Sequence, residues 1–212
     1  MALLRPVIEP RVRLPRLVPG LVLMGFGTAL MVAADLGLPP WSVLDQGISE
    51  HTGIPIGTVS IIVGACVLCA WIPLRERPGL GTVLNILLIG VTTDLVLLAV
   101  DTPDSGAARL AYLLAGAFLW GPGSGLYIGA DLGPGPRDGL MTGLAARGVG
   151  SIRAVRTGIE LGALTAGWLL GGSVGLGTLV FAATIGPNIQ FFLPRLAVSR
   201  RWRPAAAPAV GR

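Results

Sequence analysis

The sequence contains no lysine: all sixteen basic residues are arginine, and the 212 residues include one histidine and two cysteines. Charge is scarce, at 13% of residues where soluble domains carry roughly a quarter, and aromatics supply only 6%. Each shortage excludes something. His51, beside Glu50, has no clustered cysteine or second histidine with which to ligate a metal. No Ser/His/Asp or paired-carboxylate pattern argues for catalysis, so neither an enzyme nor a cofactor is expected. Cys66 and Cys69 form a C-x-x-C inside an apolar run with no polar partner in the same turn, which reads as two buried small hydrophobes rather than a redox pair. The net charge of +5 invites nucleic acid, but the arginines stand at the ends of apolar runs, and that placement argues against such a partner.

What the sequence has instead is apolar length. Apolar residues make up 52% of the chain and the mean hydropathy is +0.74, which places it in the lipid bilayer as an integral, all-α membrane protein. Six spans are expected: 17–34, 57–74, 80–100, 109–130, a less apolar fifth that begins near Arg153, and 177–193. The first follows a basic segment, 1–16, without an A-x-A cleavage pattern and reads as a retained helix. After Asp35, adjacent prolines (Pro39, Pro40) open a short interfacial or re-entrant helix through Trp41, Asp45 and Ile48. A similar proline-containing loop, Pro134 to Asp138, follows the fourth span. A polar linker, 101–108, joins the halves, and a basic Pro/Ala-rich tail, 195–212, is expected to be disordered.

The halves resemble each other. Gly27–Gly37 and Gly123–Gly133 are identical at six of eleven positions, at an offset of 96 (131 minus 35). The same offset lays Gly79-Leu80-Gly81-Thr82 on Gly175-Leu176-Gly177-Thr178. With the N-terminus cytoplasmic, fifteen arginines fall inside and only Arg109 outside. Both termini are then cytoplasmic, in the plasma membrane. Three spans per copy is an odd number, so the two three-helix repeats, 17–100 and 109–194, are inverted. Small residues every fourth position (Gly25, Ala29, Ala33; Gly121, Gly125, Gly129) are expected to let the first and fourth spans cross closely.

The candidate site comes from charges the fold does not require. Asp35 and Asp131 end matched spans, either as caps or as carboxylates beside a solute path. Arg153, Arg156, Thr157 and Glu160 lie at i, i+3, i+4 and i+7 on one helix face, where the first half has Gly57, Ser60, Ile61 and Gly64. Arg156 and Glu160 are expected to pair or to face a cavity. With Arg137 and Asp138, these residues form a substrate-binding or ion-coupling set between the halves. The arginines favour a small solute with an anionic group, and the carboxylates a proton or cation. Asp94 and Asn85 share the third span. The competing reading is a non-transporting scaffold whose glycine-rich faces bind a membrane partner or a second copy.

Leu36 to Leu44, Thr52-Gly53 with Gly57, and Gly79 to Asn85 resemble the bacterial YczE/YitT-like family of membrane proteins. So do Pro134 to Leu140, Arg153 to Glu160 and Gly171 to Gly175. The likeness runs from about Arg16 to Arg195 and implies a multi-pass plasma-membrane protein without supplying a substrate.

Overall fold

The computed structural model describes residues 10–198, with side chains from residue 13. Most of the expected tail, and residues 1–9 of the basic N-terminal segment, lie outside the described residues. Over the described residues eight helices follow in order: α1 Pro10–Ala34, α2 Pro40–Thr52, α3 Ile56–Leu74, α4 Leu80–Leu97, α5 Gly106–Ala130, α6 Pro136–Ala146, α7 Ile152–Leu169 and α8 Leu176–Leu196. Among the described residues there is no strand.

The helix ends have local causes. Ser105 and Ser151 cap α5 and α7, each hydroxyl accepting an N–H three residues on at 3.2 Å. Pro40 and Pro136 open α2 and α6, where a missing N–H costs nothing. Asp35 and Asp131 stop α1 and α5 in the left-handed region, at φ 51° and 55°, with their N–H groups bonded back to Val32 and Ile128. The first and last spans are therefore longer than the apolar runs alone suggest, and α8 absorbs the beginning of the expected tail.

Four stretches are long and apolar enough to cross a bilayer core of roughly 30 Å: Arg13–Ala34, Ile56–Leu74, Leu80–Leu97 and Leu176–Leu196. Of the other long helices, α5 has 25 residues but many glycines, and α7 has 18 residues that include Arg153, Arg156 and Glu160. Helices α2 and α6, with 13 and 11 residues, are too short to cross, since each residue advances the helix only about 1.5 Å.

Helices α1 and α5 cross through glycine. A Cβ on Gly27 would stand 2.7 Å from the Gly116 carbonyl oxygen, and one on Gly20 would stand 2.8 Å from that of Gly123. This corrects the expected stripe. Gly25 packs on Ile89 and Thr92 of α4, while Gly121 and Gly125 pack on Asn188 and Phe192 of α8. Five residues separate Gly20 from Gly25, and at 100° per residue that turns them about 140° apart, so α1 has two small-residue faces rather than one. The stripe seats a neighbouring span, and the α1–α5 crossing uses the other face.

Two loop contacts recur with their partners exchanged. Gly81 N–H donates to Leu132 C=O at 2.9 Å and Thr82 Oγ1 to Pro134 C=O at 2.7 Å. At positions 96 along or back (177 minus 81; 132 minus 36), Gly177 N–H donates to Leu36 C=O at 2.7 Å and Thr178 Oγ1 to Leu38 C=O at 2.7 Å. The loop after α1 thus docks on the start of α8, and the loop after α5 on the start of α4. Gly37 and Gly133, at φ 99° and 128°, make the close approach to Gly175 and Gly79 that a side chain would block.

One contact is not repeated. Helix α3 closes on α4 where Gly57 meets Gly90, and the Asp94 carboxylate accepts from Gly57 N–H at 2.6 Å and Thr58 Oγ1 at 2.7 Å. Helix α7 packs on α2 and α6 but has no such seam with α8. A Cβ on Gly158, Gly162 or Gly186 would meet nothing within 4 Å. Cys66 and Cys69 also depart from expectation: both are exposed on α3, because a span's apolar surface can face lipid instead of a core.

Leucine at Gly27 or Gly116 is expected to overpack the α1–α5 crossing and cost about 1–3 kcal/mol or more. In detergent, both variants should lose monodisperse protein and melt lower than the parent, while Gly162→Leu should match it.

Candidate functional site

The starts of the two short helices meet at the centre of the molecule. Pro136 sets the first turn of α6, and its carbonyl accepts the Trp71 indole N–H at 2.9 Å, holding that turn against the buried Trp71 side chain of α3. Gly139 lies directly against the Trp71 ring, so that α6 can sit there at all. On the other side, the Gln46 side-chain oxygen accepts the Ser173 N–H at 2.7 Å and fixes α2 to the turn before α8.

Arg137 then extends from α6 toward α2. Its guanidinium lies 4.6 Å from the centre of the Trp41 ring, and Nη2 is 3.7 Å from Asp45 Oδ2. Trp41 and Asp45 are one helical turn apart, which places ring and carboxylate on the same face. The pair is unequal: Asp45 exposes 4% of its side chain and Arg137 32%.

Beside the pair is a cavity of about 50 Å³, room for a few waters or one small ion. Helices α1 to α6 all contribute to its wall, which includes Thr28, Ser42, Asp45, Ser60, Asn85, Thr93, Trp120 and Arg137. Two buried polar atoms of lining residues have no hydrogen-bond partner, Asp45 Oδ1 and Trp120 Nε1, and Trp41 Nε1, on the ring beneath Arg137, has none either. Burial pushes the Asp45 carboxyl up to about 6, against the opposing pull of Arg137 and the Ser60 hydroxyl. Asp138 is raised by burial too, with Arg156 and Arg137 acting in the other direction.

Of the residues expected to form the site, Arg137 is at its centre and Asp138 next to it, within the fields of Arg156 and Glu160. The Arg156–Glu160 pair forms as its spacing requires, Nε to Oε1 at 2.9 Å, half-exposed on α7. Arg153 and Thr157 are exposed on the same helix. Asp35 and Asp131 are not brought together. Asp35 faces Arg109 at 3.5 Å beside the start of α5, and the Asp131 carbonyl accepts from Arg13 at 2.8 Å near the start of α1. They end helices at opposite ends of the α1–α5 pair, because those helices are antiparallel. Among the described residues no group of three His, Cys, Asp or Glu could hold a metal, and His51 Nδ1 lies 3.0 Å from the Gly47 carbonyl.

Sequence reasoning passed over Asp45, Trp41 and Trp120. One signal was present: at the offset of 96, Trp41 is the counterpart of Arg137 (137 minus 96). Two counterparts that touch each other mark the place where the halves meet.

Breaking the two ion pairs should have unequal effects. Arg137→Ala strands the buried Asp45 carboxylate and is expected to cost about 3 kcal/mol. Arg156→Ala, at an exposed i, i+4 pair, should cost less than about 1 kcal/mol. Thermal unfolding in detergent separates the two.

Comparison with known proteins agrees with a membrane location. The chain is 42% identical over 177 residues to an uncharacterized protein of Haemophilus influenzae, covering 84% of this chain and 81% of that one. It is 34% identical over 190 residues to the uncharacterized membrane protein YczE of Bacillus subtilis, covering 86% and 88%. It is 25% identical over 179 residues to YyaS of the same organism, covering 82% and 89%. No solved structure matches. The family model that matches, over residues 12–194, is that of DUF6198, a family of unknown function, and the chain belongs to that family.

Proposed function

We propose that the protein is a small-solute transporter whose charged site lies between two inverted three-helix halves. In this reading α1, α3, α4, α5, α7 and α8 cross the membrane, while α2 and α6 re-enter without crossing. The partner-exchanged hydrogen bonds at Gly81 and Gly177, and the contact between counterparts Trp41 and Arg137, support the inverted relation. The arginine bias supports cytoplasmic termini in the plasma membrane, with Arg109 on the outer side.

The observation that carries transport is the central cavity with its unpartnered buried polar atoms. A purely structural brace would satisfy those atoms, since each one left bare costs about 1–3 kcal/mol. Arg137, with Arg156 of α7 acting on the neighbouring Asp138, favours an anionic group on the solute. Asp45, Asp138 and Glu160 favour a coupled proton or cation. Catalysis has no part in this reading.

A second reading has its own support. The open surface at Gly158, Gly162 and Gly186 suits a scaffold that receives a membrane partner or a second copy along α7. Flux distinguishes the two.

Proteoliposomes holding the full chain can be screened with radiolabelled acetate, lactate, phosphate and glycerol phosphate under imposed sodium and proton gradients. Accumulation of one of them, lowered at least about tenfold by Arg137→Ala and Glu160→Gln, is the expected result. Absence of flux across the panel would favour the scaffold, and flux unchanged in both variants would keep transport but remove these charges from its site. The topology is checked separately, in a chain carrying Cys66→Ala and Cys69→Ala. An impermeant maleimide should label Asp104→Cys in intact cells and Glu76→Cys only after lysis.

A further inference from the structure

We propose that the central cavity is a binding site for a monovalent alkali cation of sodium's size, with Asp45 as its charged ligand. The inference deepens the transporter reading and rests on it for the ion's role in coupling.

The cavity wall is rich in oxygen with lone pairs to give. Thr28 donates its hydroxyl proton to Met24 C=O at 3.0 Å, and Thr93 donates to Ile89 C=O at 2.8 Å. Both oxygens therefore keep only acceptor capacity. Ser42, Ser60 and the Asn85 amide add three further side-chain oxygens, and Asp45 Oδ1, buried and unpartnered, adds the charge. Carboxylate, hydroxyl and amide oxygens converging on a small space are ligands for a hard cation.

The charge balance selects its valence. Asp45, Asp138 and Glu160 face Arg137 and Arg156 on the surrounding elements, while α1, α3, α4 and α5 place no ionisable side chain in the cavity wall. Among the described residues Asp45 is the one carboxylate in that wall, and a single carboxylate suits a monovalent ion where a divalent ion takes several. At about 50 Å³ there is room for the ion and a water, and that water can accept from the Trp120 indole N–H.

The fold does not require three of these oxygens. At the offset of 96, the counterparts of Asp45, Asn85 and Thr93 are Met141, Phe181 and Ile189. One half carries the oxygen set and the other the arginines, so a cation and an anionic solute would sit side by side around the Asp45–Arg137 pair. An ion on Asp45 would draw the carboxylate from Arg137 and free the guanidinium for the solute.

The test is equilibrium binding to the full chain in detergent, read by tryptophan fluorescence and by the melting midpoint, since Trp120 lines the cavity. Sodium chloride and sodium gluconate should each give a saturable change, at least about tenfold weaker with potassium and absent with choline chloride. Asp45→Asn should abolish it, and Ser60→Ala should weaken it about tenfold. If Asp45→Asn fails to fold, Ser60→Ala and Asn85→Leu decide. A response to choline chloride equal to that to sodium, a response that follows pH alone, or unchanged affinity in these variants would overturn the proposal. Sodium binding without flux in the proteoliposomes would keep the site and sink the transporter reading. Flux in a protein that shows no saturable sodium binding would do the reverse.

Discussion

Everything in this molecule depends on how closely two backbones can approach in lipid. Apolar side chains gain little by leaving acyl tails for one another, so helices associate through packing and hydrogen bonds instead of hydrophobic burial. At the α1–α5 crossing that demand is met by Gly20, Gly27, Gly116 and Gly123, each against the other helix's backbone. Once α1 and α5 are in contact, the loops that follow them have only one place to go. Each docks on the start of a helix from the other half, Leu36 on Gly177 and Leu132 on Gly81, and each then launches a short helix inward. The meeting of Arg137 with Trp41 and Asp45 is the last consequence of that crossing.

The fold was largely legible because its causes are local or periodic. Apolar runs gave the long helices, and paired prolines gave the start of α2. The glycine stripe at Gly25 and Gly121 was correctly read as a close-packing signal but assigned to the wrong neighbour. Spacing says which residues share a face of a helix; it does not say which helix that face meets. The same limit applies to Cys66 and Cys69, whose apolar context looked like burial and is lipid-facing surface.

The site was legible only in part, for a related reason. Arg156 and Glu160 pair because four residues separate them, a relation that any helix satisfies. Arg137 and Asp45 pair across 92 residues (137 minus 45), and no local pattern announces that. Asp45 was hidden as well by ordinary surroundings: on a short helix with Ser42, Gln46 and Glu50 it reads as one polar residue among several at an interface. Its burial is a property of the assembled molecule. Asp35 and Asp131 erred in the other direction, because repetition made them conspicuous. Repetition here marks a backbone requirement, the left-handed residue that ends α1 and α5.

The departures from repetition carry more chemistry than the repeats. Asp94 closes α3 onto α4 by accepting two hydrogen bonds, and its counterpart is Gln190. A neutral amide there cannot recover the charge-assisted bonds of the carboxylate, which are roughly twice as strong as neutral ones. The counterpart of Gly57, where the first half makes its closest approach, is Arg153. Arginine cannot enter a glycine contact, so the seam between α7 and α8 is precluded by bulk at one helix and by weaker bonding at the other. Helix α7 is thereby left to α2 and α6, the two elements that meet at the centre, and its charges lie beside Asp138 instead of being sealed against α8. The same substitutions that loosen one half thus deliver ionisable groups to the region where the halves meet.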